Sequence, residues 1–175
     1  MNGHIAIFMK HIMKGREKMI ELWTDGATSK NGSKNAIGGW AYVLVRDGEV
    51  LFKGHGAEFG TTNNRCEYLA MINGLKHLEE MDMIHETINC YSDSALLINT
   101  LNTWIHDWKK NNWTKKSKGE IKNLDLVKAL YPYTQKDNIV FSKVAGHAGV
   151  AFNEMCDKLA VFSRKLLEEK IDLHN

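Results

Sequence analysis

The sequence predicts an α/β fold, a mixed sheet with helices packed on it. Three observations predict it. The first third reads as three consecutive β-rich segments. After that, strand-like and helical periodicities alternate. No internal repeat, linker or second composition interrupts the chain.

The elements follow in order. Ile20, Leu22 and Trp23 form a first strand that runs into Thr24-Asp25-Gly26, and a Gly/Asn/Ser/Lys stretch at 29–35 reads as a loop. Gly38-Gly39 opens Trp40 to Val45, rich in β-formers. Asp47-Gly48 is a strong hairpin signal, and the return strand passes Val50 to about Phe59. Thr61-Thr62-Asn63-Asn64 is a cluster of helix-capping residues, followed by Tyr68, Leu69, Ile72, Leu75 and Leu78 at helical spacing. Thr87–Ser92 is a fourth strand ending at Asp93, and Ala95–Leu101 a short helix. A basic, Trp-rich stretch at 104–118 comes next. Leu124, Val127 and Leu130 mark a helix stopped near Pro132, and Ile139–Val144 a fifth strand. Gly146-His147-Ala148-Gly149 reads as a flexible loop. A last amphipathic helix would turn Phe152, Met155, Leu159, Phe162, Leu166 and Leu167 to the core.

Composition excludes several classes. The 175 residues are 43% hydrophobic and 25% charged, so the chain is not disordered and can bury a core. The length suits one domain, expected over 19–170. No apolar run approaches the roughly 20 residues that cross a bilayer. The three cysteines, Cys66, Cys90 and Cys156, are odd in number and widely spaced, which argues against a disulfide framework or zinc site and for a reducing, cytoplasmic compartment. Residues 1–18 form a basic extension, either a functional arm or an over-long start, since Met9, Met13 and Met19 fall in or beside it. The net charge of +2 hides a concentration: residues 104–118 hold Lys109, Lys110, Lys115, Lys116 and Lys118 against Asp107 alone. Such patches meet phosphate backbones.

Four acids fall at element ends. Asp25 and Asp93 lie where strands finish, Glu67 in the first turn of a helix, and Asp157 near the start of the last. Carboxylates at the ends of adjacent strands converge at one edge of a sheet. Hard divalent ions take such oxygens, and two of them clamp a phosphodiester. Each acid also has a structural alternative: Asp25 as a turn residue before Gly26, Glu67 closing a capping box with Asn64, Asp93 as an N-cap, Asp157 favouring the helix dipole.

The residues around the acids carry a resemblance. Trp23-Thr24-Asp25-Gly26, Thr61-Thr62-Asn63-Asn64-Arg65-Cys66-Glu67, Tyr91-Ser92-Asp93-Ser94 and Gly146-His147-Ala148-Gly149 with Asn153-Glu154 and Asp157 follow in that order. Together with Trp104-Ile105-His106-Asp107-Trp108-Lys109-Lys110, this run resembles bacterial-type ribonuclease H type 1 over about residues 20–165. The resemblance implies a five-stranded mixed sheet with its first three strands antiparallel. It implies endonucleolytic hydrolysis of the RNA strand of an RNA–DNA hybrid, leaving 5′-phosphate and 3′-hydroxyl ends.

The same resemblance places Asp25, Glu67, Asp93 and Asp157 at metal-carboxylate positions and His147 at a catalytic histidine. Two Mg²⁺ ions are expected across the scissile phosphate, with Asp25 between them, and Mn²⁺ should substitute. His147, in a glycine-bounded loop, would shuttle a proton or help product leave. Asn31, Asn63, Asn64 and Ser94 match substrate-contacting positions, and Thr62 and Asn123 a phosphate pocket for the DNA strand. Gly60 stands where an Arg is common, and Asp107 where an Asn is common. The DNA strand would lie over a protrusion near 104–122, where Trp104, Trp108 and Trp113 interleave with Lys109, Lys110, Lys115 and Lys116. Core packing is the alternative for Trp104 and Trp108, which are four apart. With no room for a partner domain, a free-standing monomer is expected. A resolvase- or integrase-like nuclease and a non-catalytic hybrid-binding module are the competing readings.

Overall fold

Five strands form one mixed sheet in the order β3-β2-β1-β4-β5. The computed structural model describes residues 19–117, 119–146 and 151–173. The strands are β1 (Met19–Ser29), β2 (Ile37–Arg46), β3 (Glu49–Phe59), β4 (Thr87–Ser92) and β5 (Ile139–Lys143). The first three are antiparallel to one another, while β4 pairs parallel with β1 and β5 parallel with β4. Asp47 and Gly48 both take positive φ, 52° and 79°, which is the turn geometry that pair favours in a two-residue hairpin. The basic extension at 1–18 and the loop residues 147–150, including His147, lie outside the described residues.

Side-chain alternation gives the sheet two apolar faces. Ile20 and Leu22 point with Leu44 and Ile88 toward α1 (Asn63–Glu80), where Met71, Leu75 and Leu78 are fully buried. Trp23, Val43 and Val45 point the other way, against α5 (Ala151–Asp172). The remaining helices are α2 (Ala95–Asn99), α3 (Ile105–Lys110) and α4 (Leu124–Leu130), the last followed by a 3₁₀ turn (Tyr131–Gln135) with Pro132 in its first turn. Cys66, Cys90 and Cys156 are free and buried, as expected of small apolar residues.

Three elements depart from the sequence reading. β1 does not end at Asp25; it continues to Ser29, because Gly38 and Gly39 of β2 extend the ladder to Thr28 and Ala27. The short helix after Asp93 stops being α-helical at Asn99, and a π-helical turn (Thr100–Trp104) leads straight into α3. Leu101 and Ile105, four apart and buried, draw the chain onward as a helix where the sequence showed only a basic stretch. On α5 the fully buried positions are Asn153, Cys156, Ala160 and Ser163, while Phe152, Met155 and Leu159 pack half-buried on the core as expected and Phe162 and Leu166 do not. Small side chains let the helix backbone press onto β2, and Phe162 and Leu166 are left exposed on its flanks.

Candidate active site and groove

Asp25 lies mid-strand on β1, where residues alternate faces, and is 6% exposed. At its neighbour Gly26 the start of α1 comes close to β1. A Cβ built on Gly26 would stand 2.8 Å from the Cys66 Cβ and 2.9 Å from the Glu67 nitrogen. Only glycine permits that approach, and it brings Glu67, itself 3% exposed, beside Asp25. Asp93 follows β4, the parallel neighbour of β1. Oxygens of Asp25, Glu67 and Asp93 all lie within 4.8 Å of one another.

The capping alternatives are taken by other residues. Thr62, extended at φ −129°, ψ 158°, caps α1, its hydroxyl accepting from the Arg65 N–H at 3.2 Å. Glu67 therefore stands past the first turn, with its carboxylate turned to the cluster. Ser94 caps α2, accepting from the Leu97 N–H at 3.2 Å, so Asp93 stands one residue outside the helix. Asp25 does accept from the Gly26 N–H at 2.7 Å, but inside a strand rather than in a turn.

Asp157 is not within the three-carboxylate group, yet its charge reaches Asp25. Cys156 fastens this part of α5 to β1, its thiol donating to the Trp23 carbonyl at 3.3 Å. Burial, then Asp93 and Asp157, push the Asp25 carboxyl up to about 7. Burial, then Asp25 and Asp93, push Glu67 well above its ordinary range, against a 3.4 Å hydrogen bond from the Ser92 hydroxyl. Among the described residues no Lys, Arg or His forms an ion pair with any of the three. Buried like charges without a cationic partner are costly unless a cation joins them. The donors are all carboxylate oxygens, which suits a hard divalent ion. The group can hold a metal.

A groove of about 1100 Å³ lies beside this edge. Asn31, Thr62 and Asn64 line one wall, and Asn123 with Lys122 the other. Trp104, Trp108, Lys115 and Lys116 line it further along, with Asp107 among them. Trp104 is exposed, whereas Trp108 both lines the groove and packs on the core, so the two tryptophans divide the alternatives between them. Lys109, Lys110, Trp113, Asn63 and Ser94 do not line the groove. Lys109 instead sits 5.4 Å from the Trp113 ring centre and 5.6 Å from that of Tyr131. Asn63 ties the helix start to the β1–β2 loop, its N–H donating to Asn31 Oδ1 at 3.1 Å.

Gly60 takes φ +68°, a conformation in which a side chain is strained, so this backbone disfavours Arg at that position. Lys122 and Arg65 were not among the expected site residues. Adjacency to Asn123 was the available signal for Lys122; nothing local announced the partners of Arg65.

Comparison with known proteins agrees with this architecture. The family model for RNase H matches residues 17–164. Ribonuclease H of Caldicellulosiruptor saccharolyticus is 40% identical over 154 residues, 87% of this chain and 98% of its own length. That of Caldanaerobacter subterraneus is 42% identical over 149 residues, 85% and 92% respectively. Among solved structures, LC9-RNase H1, described as a type 1 RNase H with the type 2 active-site motif, superposes with a TM-score of 0.71 at 24% identity, over 85% of this chain and 72% of that one. LC11-RNase H1 in complex with RNA/DNA hybrid gives 0.61 at 19% identity, over 85% and 98%. The structures speak for the fold; the family match and the sequence relatives speak for descent. The chain belongs to the ribonuclease H family of enzymes.

Proposed function

We propose that the chain hydrolyses the RNA strand of RNA–DNA hybrids internally, leaving 5′-phosphate and 3′-hydroxyl ends. The observation that carries this reading is the group of three carboxylates within 4.8 Å, two of them buried and none paired with a cation among the described residues. Asp25, Glu67 and Asp93, with Asp157 alongside, would hold two Mg²⁺ ions. When bound, these supply an activated water and charge neutralisation at the leaving 3′-oxygen.

The other residues serve binding and proton movement. Asn31 and Asn64 carry amides that both donate and accept, as recognition of ribose 2′-hydroxyls needs. Thr62, Asn123, Lys115 and Lys116 face the same groove and suit the phosphates of the DNA strand. Trp104 offers an exposed ring for sugars or bases. Ser94, whose hydroxyl accepts from the Leu97 N–H, would donate its hydroxyl proton to substrate. His147 moves a proton or assists product departure.

The reading is supported by kinship with proteins named ribonuclease H and by a fold shared with one solved on an RNA/DNA hybrid. The deciding experiment is a gel assay on end-labelled hybrid with Mg²⁺ or EDTA, beside single-stranded RNA, RNA duplex and DNA duplex. Cleavage of the hybrid's RNA strand alone, absent in EDTA and in Asp25→Asn, is expected. Cutting of plain DNA duplex would move the assignment to a resolvase-like nuclease. Binding without cutting would move it to a non-catalytic module.

A further inference from the structure

Arg65 stands in the first turn of α1, two residues before Glu67 and beside the groove without lining it. Its Nε donates to Glu58 of β3 at 3.0 Å. Its two terminal nitrogens fork onto Asp125, Nη1 to Oδ1 at 3.1 Å and Nη2 to Oδ2 at 3.0 Å. A bidentate guanidinium–carboxylate pair fixes orientation as well as distance. Among the described residues it is the one ion pair that reaches α4. The Arg65 N–H also donates to the Thr62 cap, so one residue bonds both to the α1 wall and to α4.

Apolar packing holds the body of α4, with Ile121, Leu126 and Val127 buried in the core, but it leaves the polar rim of the helix start to the Arg65 pair. The helix has seven residues, too few to be cohesive alone. It begins at Asn123, which is left-handed (φ 56°, ψ 36°) and makes no capping bond with its side chain. Thr62 and Asn64 line the groove on the α1 side, Lys122 and Asn123 on the α4 side. Asp125 lies two residues beyond Asn123, and its carboxyl is held below the ordinary range chiefly by the Arg65 hydrogen bond.

We infer that Arg65 is a positioning residue for substrate binding: through Asp125 and Glu58 it sets the separation of the two walls that grip a nucleic-acid backbone. The inference rests on the hybrid-cleaving reading of the groove. If the tie opens, contacts from Thr62 and Asn123 cannot both be made at their proper spacing. The loss falls on binding common to ground and transition states, and so on KM.

Electrostatics alone predicts the reverse sign at Asp125. Removing an acid near a polyanion's groove should tighten binding, whereas removing a tie should weaken it. The test measures kcat and KM of the full chain on labelled hybrid in Mg²⁺ across a salt series. Asp125→Asn is expected to raise KM about three- to five-fold with kcat within about two-fold, the span that a well-formed surface pair supports. Arg65→Lys, which keeps the charge and loses the fork, should do the same. Asp125→Glu should restore most of the loss.

A lower KM in Asp125→Asn, a fall in kcat at constant KM, or a lower Tm with KM unmoved would each overturn the inference. If the wild type binds hybrid without cutting it, the hydrolytic reading fails separately, and Kd for the same variants still tests the tie. Absence of both binding and cutting would overturn both.

Discussion

At the carboxylate edge, three acids lie within 4.8 Å of each other, placed by two strands and a helix and mostly withdrawn from water. Along the protrusion, Lys109, Lys110 and Lys116 are exposed and Lys115 half-buried, and the partners are rings: Lys109 over Trp113 and Tyr131, Lys115 over Trp108, with Lys128 of α4 joining over Trp113. The first region stores repulsion in rigid geometry; the second spreads attraction over mobile side chains. Chemistry needs the former, because burial and mutual repulsion make a site that gains most when a cation enters. Capture of a polyanion needs only the latter, since counterion release depends on charge and little on exact placement.

The largest difference between the two regions should come from Asp25→Asn. Turnover should fall to background while the fold is kept. Stability should move the other way. The folded Asp25 carboxyl titrates at about 7 against an ordinary 3.8, so the folded state holds a proton that the unfolded chain releases between those values. Stability of the metal-free protein from this group therefore falls as pH rises from about 4 to about 7. In EDTA at pH 7, Asp25→Asn should raise Tm by about 5 °C, and the gain should vanish near pH 4. Equal activity of the variant and the wild type would refute the assigned site.

His147→Ala is expected to slow turnover roughly a hundred-fold without abolishing it, as loss of a proton-transfer group does. A pH–rate profile that loses one limb would place the effect in proton transfer.

Neutralising Lys109, Lys110, Lys115 and Lys116 together should raise KM about ten-fold and flatten its salt dependence while kcat is nearly kept. Lys115 and Lys116, which line the groove, should carry most of this, and Lys109, held over two rings, little. A large kcat loss at unchanged salt slope would show that the two regions are not separable. The smallest effect belongs to Asp107, the acid inside the groove: Asp107→Asn should lower KM about two-fold at low salt, measured on the same hybrid.

The parts legible in the sequence were those with a period or a pattern of special residues. Strand order in the first third, the Asp47-Gly48 hairpin and the capping cluster at 61–64 all appear where alternation and turn chemistry put them. Asp25, Glu67 and Asp93 were recognisable because their flanking residues form a known pattern, and the sheet and α1 do bring them together. What was not legible depends on backbone approach. The inward face of α5 is set by Cys156, Ala160 and Ser163, because contact distance to β2 outweighs side-chain hydrophobicity there. The π-helical turn that leads into Trp104 and Trp108 is announced by no local propensity. Arg65 reads as a surface cation until β3 and α4 arrive from either side of it.

The parallel pairing of β1 with β4, Met19 opposite Thr87 and Trp23 opposite Tyr91, has a consequence in time. During synthesis, the meander of β1, β2 and β3 can pair as soon as it is made, with Asp25 a solitary acid in its first strand. Glu67 joins when α1 docks, and Asp93 only when β4 has been translated and has slipped in beside β1. The cluster is therefore complete only at the last of these docking steps, and until then the growing chain brings together at most two of its three acids.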